Sequence, residues 1–234
     1  MSKKHKIIIE DLIHIYKGQV ETVALRGVDL KIKAGEKICL VGKSGTGKST
    51  LLHCIAGLLI PSSGKIFLED EDITKFSINE LVALRRDKIG LVYQNFNLID
   101  FLTVDENIQI PMLAANKDKD TRTKRVDELL KEFDIGRYKK SYPPYLSGGE
   151  KQRVAVAVAL ANNPDIILAD EPTGNLDLEN ATNIYELLDE LVTNHKITLI
   201  LATHDANALN YVDRKIEMSD LNTKKYTESA MNRE

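Results

Sequence analysis

The stretch Gly42-Lys-Ser-Gly-Thr-Gly-Lys-Ser49 follows the uniformly apolar run Ile38–Val41 and opens a segment of helical pattern, Lys48–Leu59. A run that is apolar at every position predicts a strand buried on both faces. The glycines allow backbone N–H groups to turn toward an anion, and the N-terminus of the following helix adds partial positive charge. The pattern GxxxxGK[ST] between a strand and a helix therefore predicts a phosphate-binding loop. The alternative, a glycine-rich turn that binds nothing, is disfavoured by this context.

Two residues of the loop have predicted roles of their own. We expect Lys48 to reach the β- and γ-phosphates of a nucleotide, and the Ser49 hydroxyl to ligate Mg²⁺. The other residues expected to contact the nucleotide here are Gly42, Lys43, Ser44, Gly45, Thr46, Gly47 and Thr50.

A pair of acids follows a second fully apolar run, Ile166–Ala169. In an open α/β sheet, ligands bind outside the carboxyl ends of the strands. Asp170 is therefore predicted to be a partner of Mg²⁺, and Glu171 to be the general base or the orienter of an attacking water. The alternative is that the two acids only mark the end of a strand.

Polar residues follow two further predicted strands. His204 comes after the apolar run Ile197–Ala202, and we expect it to hydrogen-bond the γ-phosphate and the attacking water. Gln94 follows the run Ile89–Tyr93, and its amide is predicted to contact Mg²⁺ or water. The remaining histidines, His5, His14, His53 and His195, are interpreted as structural.

Strands that alternate with helices predict an α/β fold with a mostly parallel sheet, and the more helical segment at about 95–163 indicates an inserted helical subdomain. We predict one domain over residues 1–234, with a core at about 1–94 and 164–220, the helical subdomain at about 95–163 and a tail at about 221–234. The predicted elements are strands Lys6–Ile9, Val28–Ile32, Ile38–Val41, Ile66–Leu68, Ile89–Tyr93, Ile166–Ala169 and Ile197–Ala202, and helices Lys48–Leu59, Asn79–Arg86, Lys117–Phe133, Gly149–Leu160 and Asn180–Val192.

The composition limits the choice of partners and location. The chain has 234 residues, 43% of them hydrophobic, which is enough for one sizeable core. Its 32 basic and 35 acidic residues give a net charge of −3, which disfavours general nucleic-acid binding. The longest uncharged apolar stretches are far shorter than the roughly 20 residues of a membrane helix. Glu10 and Asp11 interrupt the apolar core that a signal peptide needs, so we expect a cytoplasmic protein. Cys39 and Cys54 lie in apolar surroundings, so we expect both thiols to be reduced and buried.

A second glycine pair stands in Leu146-Ser-Gly-Gly-Glu150, just before a predicted helix. The Ser147 hydroxyl and the bare amides of Gly148 and Gly149 at a helix N-terminus again describe an anion site. Because the chain already has a complete phosphate loop, this second element suggests contact with a nucleotide held by another subunit.

With these motifs together, the sequence is similar over nearly its whole length to the nucleotide-binding subunits of ATP-binding cassette (ABC) transporters. The matching motifs, in the family's order, are the phosphate loop Gly42–Ser49, the glutamine loop at Gln94, the signature Leu146–Glu150, the acidic strand end at Asp170 and Glu171, the aspartate loop Asn175–Asp177 and the switch His204. The resemblance implies an ATPase that uses ATP and Mg²⁺. It also implies the fold of that family, with a small antiparallel β part near the N-terminus beside the mostly parallel sheet.

The resemblance also implies how the subunits assemble. In a head-to-tail homodimer, the signature of one copy, with Ser147 and Gly149, closes over ATP bound to the other, and Asp177 belongs to the same nucleotide site. Tyr16 matches the aromatic residue that stacks on adenine. The segment Asn95–Leu98, next to Gln94, is where family members meet a membrane permease, which implies a location on the inner face of the cell membrane.

Two segments, Gly18–Gly27 and Ala169–Asp177, resemble the branch of macrolide exporters (MacB), lipoprotein-releasing ATPases (LolD) and antimicrobial-peptide resistance ATPases. This branch implies export, or the handling of lipoproteins or peptides. The chain departs from the family pattern in three places. Glu150 replaces the commoner glutamine, Val158 stands where an arginine is usual, and Met218–Asn222 lacks the usual glycine turn.

The alternative from another functional class is a soluble ABC ATPase that acts on DNA or ribosomes. Only 96 residues separate Ser49 from Leu146, which leaves no room for a long coiled coil, and the chain holds one cassette rather than two. A third alternative, a kinase or another nucleotide hydrolase with the same loop, leaves the signature and His204 unexplained.

Overall fold

A five-stranded parallel sheet lies at the centre of the computed structural model, which describes residues 5–18 and 20–223. Its strands are β3 (Lys37–Val41), β6 (Ile89–Tyr93), β7 (Ile166–Asp170), β8 (Thr198–Ala202) and β9 (Arg214–Glu217). Their order is β6-β7-β8-β3-β9, and every neighbouring pair is parallel. The predicted mostly parallel sheet is therefore confirmed, and the carboxyl ends of its strands form one edge.

A separate antiparallel sheet is built mainly from the N-terminal part of the chain. Its strands are β1 (His5–Tyr16), β2 (Thr22–Lys33), β4 (Ser63–Leu68) and β5 (Glu71–Asp72), in the order β2-β1-β4-β5. The predicted strand Lys6–Ile9 was too short, because β1 continues past Glu10 and Asp11. A bulge lies between Ile9 and Leu12, with Asp11 at a φ of 46°, so the two acids interrupt the pattern without ending the strand.

Seven α-helices complete the described part of the fold. They are α1 (Lys48–Ile55), α2 (Ile78–Lys88), α3 (Val104–Ala114), α4 (Lys119–Glu132), α5 (Gly148–Leu160), α6 (Leu178–His195) and α7 (Met218–Leu221). The helix predicted over Lys48–Leu59 ends earlier, since Gly57 takes a φ of 62° and the N–H groups of Leu58 and Leu59 both donate to the His53 carbonyl.

Two hydrophobic clusters cover the two faces of the parallel sheet. One cluster joins α1 and the antiparallel sheet to β3, β7 and β8. The other joins α5 and α6 to the sheet and continues into α3 and α4, which lie between β6 and β7 in the chain. Cys39 and Cys54 are free and buried, as predicted, and burial raises the pKa of each thiol to about 12.

Among the described residues, no helix combines the length and apolar character that crossing a bilayer requires.

Candidate functional site

A cleft of about 770 Å³ opens at the carboxyl edge of the parallel sheet. It brings together residues from the phosphate loop, from β1 and β2, and from the ends of β6, β7 and β8. Its lining consists of Tyr16, Thr22, Val23, Ala24, Lys43, Ser44, Gly45, Thr46, Gly47, Lys48, Ser49, Thr50, Gln94, Glu171 and His204. Most of the predicted nucleotide-binding and catalytic residues therefore share one cleft.

The phosphate loop connects β3 to α1, and its lysine is held inside it. Lys48 is only 7% exposed, and its Nζ donates to the carbonyl of Gly42 at 2.8 Å and lies 3.7 Å from Glu171 Oε1. Gly47 has a φ of 95°, and a Cβ there would lie 2.6 Å from the Ala24 carbonyl oxygen, so only glycine fits. The loop therefore presents a buried cation and bare amides to the cleft.

The hydroxyl of Ser49 donates to Asp170 Oδ1 at 3.0 Å. The two side chains come from α1 and from the end of β7. Two oxygen atoms that could ligate a metal therefore lie side by side next to the phosphate loop. Hydroxyl and carboxylate oxygens are the ligands that Mg²⁺ prefers. These residues therefore fit a magnesium ion that also contacts bound phosphates.

Glu171 has an unusual backbone and a well-held carboxylate. Its φ is 48°, in the left-handed region that side chains rarely adopt, and its N–H donates to the Ala202 carbonyl at 2.8 Å. Its Oε2 lies 2.9 Å from His204 Nδ1 and accepts a hydrogen bond from Thr203 Oγ1 at 3.1 Å. His204 is itself 74% exposed toward the solvent. The carboxylate is thus fixed by two residues at the end of β8.

Thr203 was missed by the sequence reasoning. It directly precedes His204 at the carboxyl end of a buried strand, so its position in the sequence was the available signal.

Gln94 is held at the cleft by a residue of the aspartate loop. Its Nε2 donates to Asn175 Oδ1 at 3.3 Å, and Asn175 Nδ2 donates to the backbone carbonyl of Gln94 at 3.0 Å. A Cβ on Gly174 would lie 2.8 Å from Gln94 Nε2, so the loop approaches the glutamine closely. The sequence identified Gln94, and the structure adds Asn175 as its partner.

Tyr16, the last residue of β1, also lines the cleft. Its hydroxyl is 3.2 Å from Thr50 Oγ1, and its ring meets His14 edge-on with 4.7 Å between ring centroids. Tyr16 is 43% exposed, and its aromatic ring is of a kind on which a planar base can stack.

The signature residues form the start of α5. Ser147 caps the helix: its Oγ accepts from the Glu150 N–H, while Glu150 Oε2 accepts from the Ser147 N–H. Glu150 also accepts a hydrogen bond from the Tyr138 hydroxyl, which lowers the pKa of the carboxyl below its usual range. The glutamate that replaces the usual glutamine therefore completes a capping box.

The two signature glycines pack against the aspartate loop and α6. A Cβ on Gly148 would meet Leu176 at 3.0 Å, and one on Gly149 would meet Asn180 Oδ1 at 2.6 Å. Asp177 caps α6 by accepting from the backbone N–H of Asn180 at 2.9 Å, and this hydrogen bond lowers the pKa of Asp177.

The signature glycines, Ser147 and Asp177 are not among the described residues that line the cleft. The structure thus separates the predicted nucleotide contacts of one chain into two groups.

Comparison with known proteins gives independent evidence about the family of this chain. A family model described as ABC transporter matches residues 25–174. The chain is 42% identical over 205 residues to the uncharacterized ABC transporter ATP-binding protein MJ1508 of Methanocaldococcus jannaschii, an alignment that covers 87% of this chain and 91% of that protein. It is 39% identical over 207 residues to the lipoprotein-releasing system ATP-binding protein LolD of Shewanella frigidimarina, covering 88% and 87%.

A solved structure matches the fold over a similar length. The dimeric ATP-binding cassette MJ0796, in a post-hydrolysis state bound to ADP and phosphate, superposes with a TM-score of 0.83 at 39% identity, covering 90% of this chain and 93% of that one. The resemblance noted from the motifs is thereby confirmed, and so is the fold class. This chain belongs to the ABC transporter family and is an ATP-binding, ATP-hydrolysing cassette.

Proposed function

We propose that two copies of this chain form a head-to-tail dimer in which each ATP lies between the phosphate loop of one copy and the signature of the other. The observation that carries this proposal is the separation of the two phosphate-recognising elements. Lys48 and Glu171 face the cleft, whereas Ser147, at the start of α5, lies outside its lining. The dimeric state of MJ0796 supports the same arrangement.

The proposed chemistry is attack of water on the γ-phosphate of ATP. The new O–P bond forms as the bond to the β-phosphate oxygen breaks, and the proton of the water passes to the carboxylate of Glu171. His204 orients that carboxylate and contacts the γ-phosphate, while the Lys48 ammonium stabilises the developing charge. Mg²⁺, held by Ser49 and Gln94 with the support of Asp170, would neutralise charge on the phosphate oxygens.

We further propose that the dimer docks on a membrane permease through Asn95–Leu98, after Gln94, at the inner face of the cell membrane. In this proposal residues 95–163 act as a helical subdomain beside a core of residues 1–94 and 164–220. Similarity to LolD supports a role in export or in the handling of lipoproteins or peptides. The tail predicted at 221–234 lies mostly outside the described residues.

The test is the substitution Glu171→Gln, which keeps the shape of the side chain and removes its basicity. We expect this variant to bind ATP with Mg²⁺ and accumulate as an ATP-bound dimer in size-exclusion chromatography, with hydrolysis lowered by about 10²-fold or more. Glu190→Gln, an exposed position on α6, is the matched control and should behave as the parent chain. Hydrolysis by Glu171→Gln at the parent rate would show that the assigned role is wrong.

A further inference from the structure

The last described residues of the chain lie against the phosphate loop and β2. After β9, the short helix α7 leads to Asn222, whose side chain makes three hydrogen bonds. Its Oδ1 accepts from the Arg26 N–H at 3.0 Å, and its Nδ2 donates to the carbonyls of Ala24 at 3.1 Å and Thr46 at 3.0 Å. An amide is the side chain that supplies one acceptor and two donors in this geometry.

The contact with Thr46 determines the orientation of one peptide unit in the loop. A peptide bond is planar and trans, so its C=O and N–H groups point in opposite directions. Because the Thr46 carbonyl points to Asn222, the N–H of Gly47 points away from Asn222, on the opposite side of that peptide. Inward-facing amides are the groups with which such a loop binds phosphate.

The contacts with β2 join the loop to another wall of the cleft. Ala24 lines the cleft, and its carbonyl oxygen would lie 2.6 Å from a Cβ on Gly47, so loop and strand are already in close approach. The Asn222 amide bridges the Ala24 carbonyl and the Arg26 N–H of β2 while it also binds the loop. The Asn222 side chain therefore fixes the position of the phosphate loop relative to β2, the two segments that it bridges.

We propose that Asn222 is a positioning residue that presets the phosphate loop for ATP, so that its side chain affects nucleotide affinity more than the chemical step. This inference rests on the proposed function, because it concerns the same ATP site. Preorganisation raises affinity by reducing the ordering that binding would otherwise require. Loss of the Asn222 bonds should accordingly weaken binding while the catalytic groups Glu171 and His204 remain in place.

The test compares Asn222→Ala, Asn222→Asp and the control Ser219→Ala, which removes an exposed hydroxyl from α7. We measure the Kd for ATP by titration calorimetry, KM and kcat for hydrolysis, and the Tm of the nucleotide-free protein. We expect Asn222→Ala to raise Kd and KM by about 5- to 10-fold with kcat within about 2-fold. Asn222→Asp should raise Kd at least as much, because a carboxylate cannot donate to the Ala24 and Thr46 carbonyls.

A second readout does not depend on turnover. Hydrogen exchange of the loop amides, residues 43–50, should become several-fold faster in the nucleotide-free Asn222→Ala variant than in the parent, and stay unchanged in Ser219→Ala.

Two outcomes overturn this inference and leave the proposed function standing. In one, the Asn222 variants lower Tm but keep Kd within 2-fold of the parent, which would make the residue purely structural. In the other, loop exchange is unchanged. If the parent chain itself neither binds nor hydrolyses ATP, the proposed function fails instead.

Discussion

Glu171, the proposed general base, has a left-handed backbone conformation, which costs of order 1–3 kcal/mol for a residue other than glycine. The hydrogen bond from its N–H to the Ala202 carbonyl offsets part of this cost. The consequence is that the carboxylate turns toward His204 and Thr203 at the neighbouring strand end. The sequence identified the acid from its place after an apolar run, but it held no signal for the left-handed turn that aims it.

We predict that His204→Ala lowers kcat by about 10²-fold with KM for ATP within about 3-fold, because the imidazole contacts the Glu171 carboxylate at 2.9 Å. Steady-state hydrolysis measures this split. His195→Ala is the matched control, since His195 also pairs with a glutamate, Glu132, at 2.9 Å, but on α6 and outside the cleft lining. Equal losses of kcat in the two variants would argue against a specific role for His204.

The capping box at the start of α5 predicts the effect of Glu150→Ala. We expect a loss of about 1–2 kcal/mol in the free energy of unfolding, measured with urea, because the Ser147 N–H and the Tyr138 hydroxyl lose their acceptor. Glu150→Gln should lose less, since it keeps one acceptor oxygen.

The control for this prediction is Glu106→Ala, which removes the equivalent capping box with Thr103 at the start of α3. Both alanine variants should lose stability, but only the change at Glu150, in the signature, should also lower hydrolysis. Unchanged unfolding of Glu150→Ala would contradict the observed cap.

A second prediction about stability concerns the two ion pairs of Asp165, which directly precedes β7. Asp165 accepts from Lys88 Nζ at 3.0 Å and Lys6 Nζ at 3.1 Å, which connects β7 with the end of α2 and with β1. Burial raises the pKa of this carboxyl, but the two lysines outweigh burial and lower it overall.

A pKa lowered by folding stabilises the protein above the unfolded value, near 3.9, and this stabilisation is lost as pH falls through the lower folded value. Asp165→Asn should therefore cost about 0.5–1 kcal/mol at neutral pH, and its stability should fall less steeply than the parent's below about pH 4. Urea unfolding at a series of pH values tests this. Parallel curves for the two proteins would refute it.

The elements that the sequence missed have specific physical reasons. Helix α3 contains Pro111, which suggests a break, yet the proline lies in the last turn and the Thr103–Glu106 capping box starts the helix. Strand β9 carries charges at Arg214, Lys215 and Glu217, and only Ile216 is buried, so it shows no apolar run that would mark it as a strand. The sequence predicts the bounds of β6, β7 and β8 to within one residue, because each of these strands coincides with a nearly continuous apolar run.

For the molecule as a whole, the sequence predicts which residues form the ATP site better than it predicts their arrangement. Motif spacing identified Lys48, Asp170 and Glu171, since each follows a strand and all meet at one sheet edge. The hydrogen bonds of Asn175 and Asn222 to these loops depend on chain segments that are distant in sequence. No periodicity or motif in one sequence reports such contacts.

Mixing two defective variants is the decisive measurement of whether each ATP site is completed by a second copy of the chain. Lys48→Ala damages the phosphate loop, and Ser147→Arg blocks the signature, so each variant alone should be nearly inactive. Their mixed dimer contains one intact site, formed by the loop of the Ser147→Arg copy and the signature of the Lys48→Ala copy. An equal mixture should therefore recover up to about a quarter of the parent ATPase rate. A mixture no more active than the sum of its components, with both variants folded and Ser147→Arg still binding ATP, would show that the ATP site is not shared between two copies.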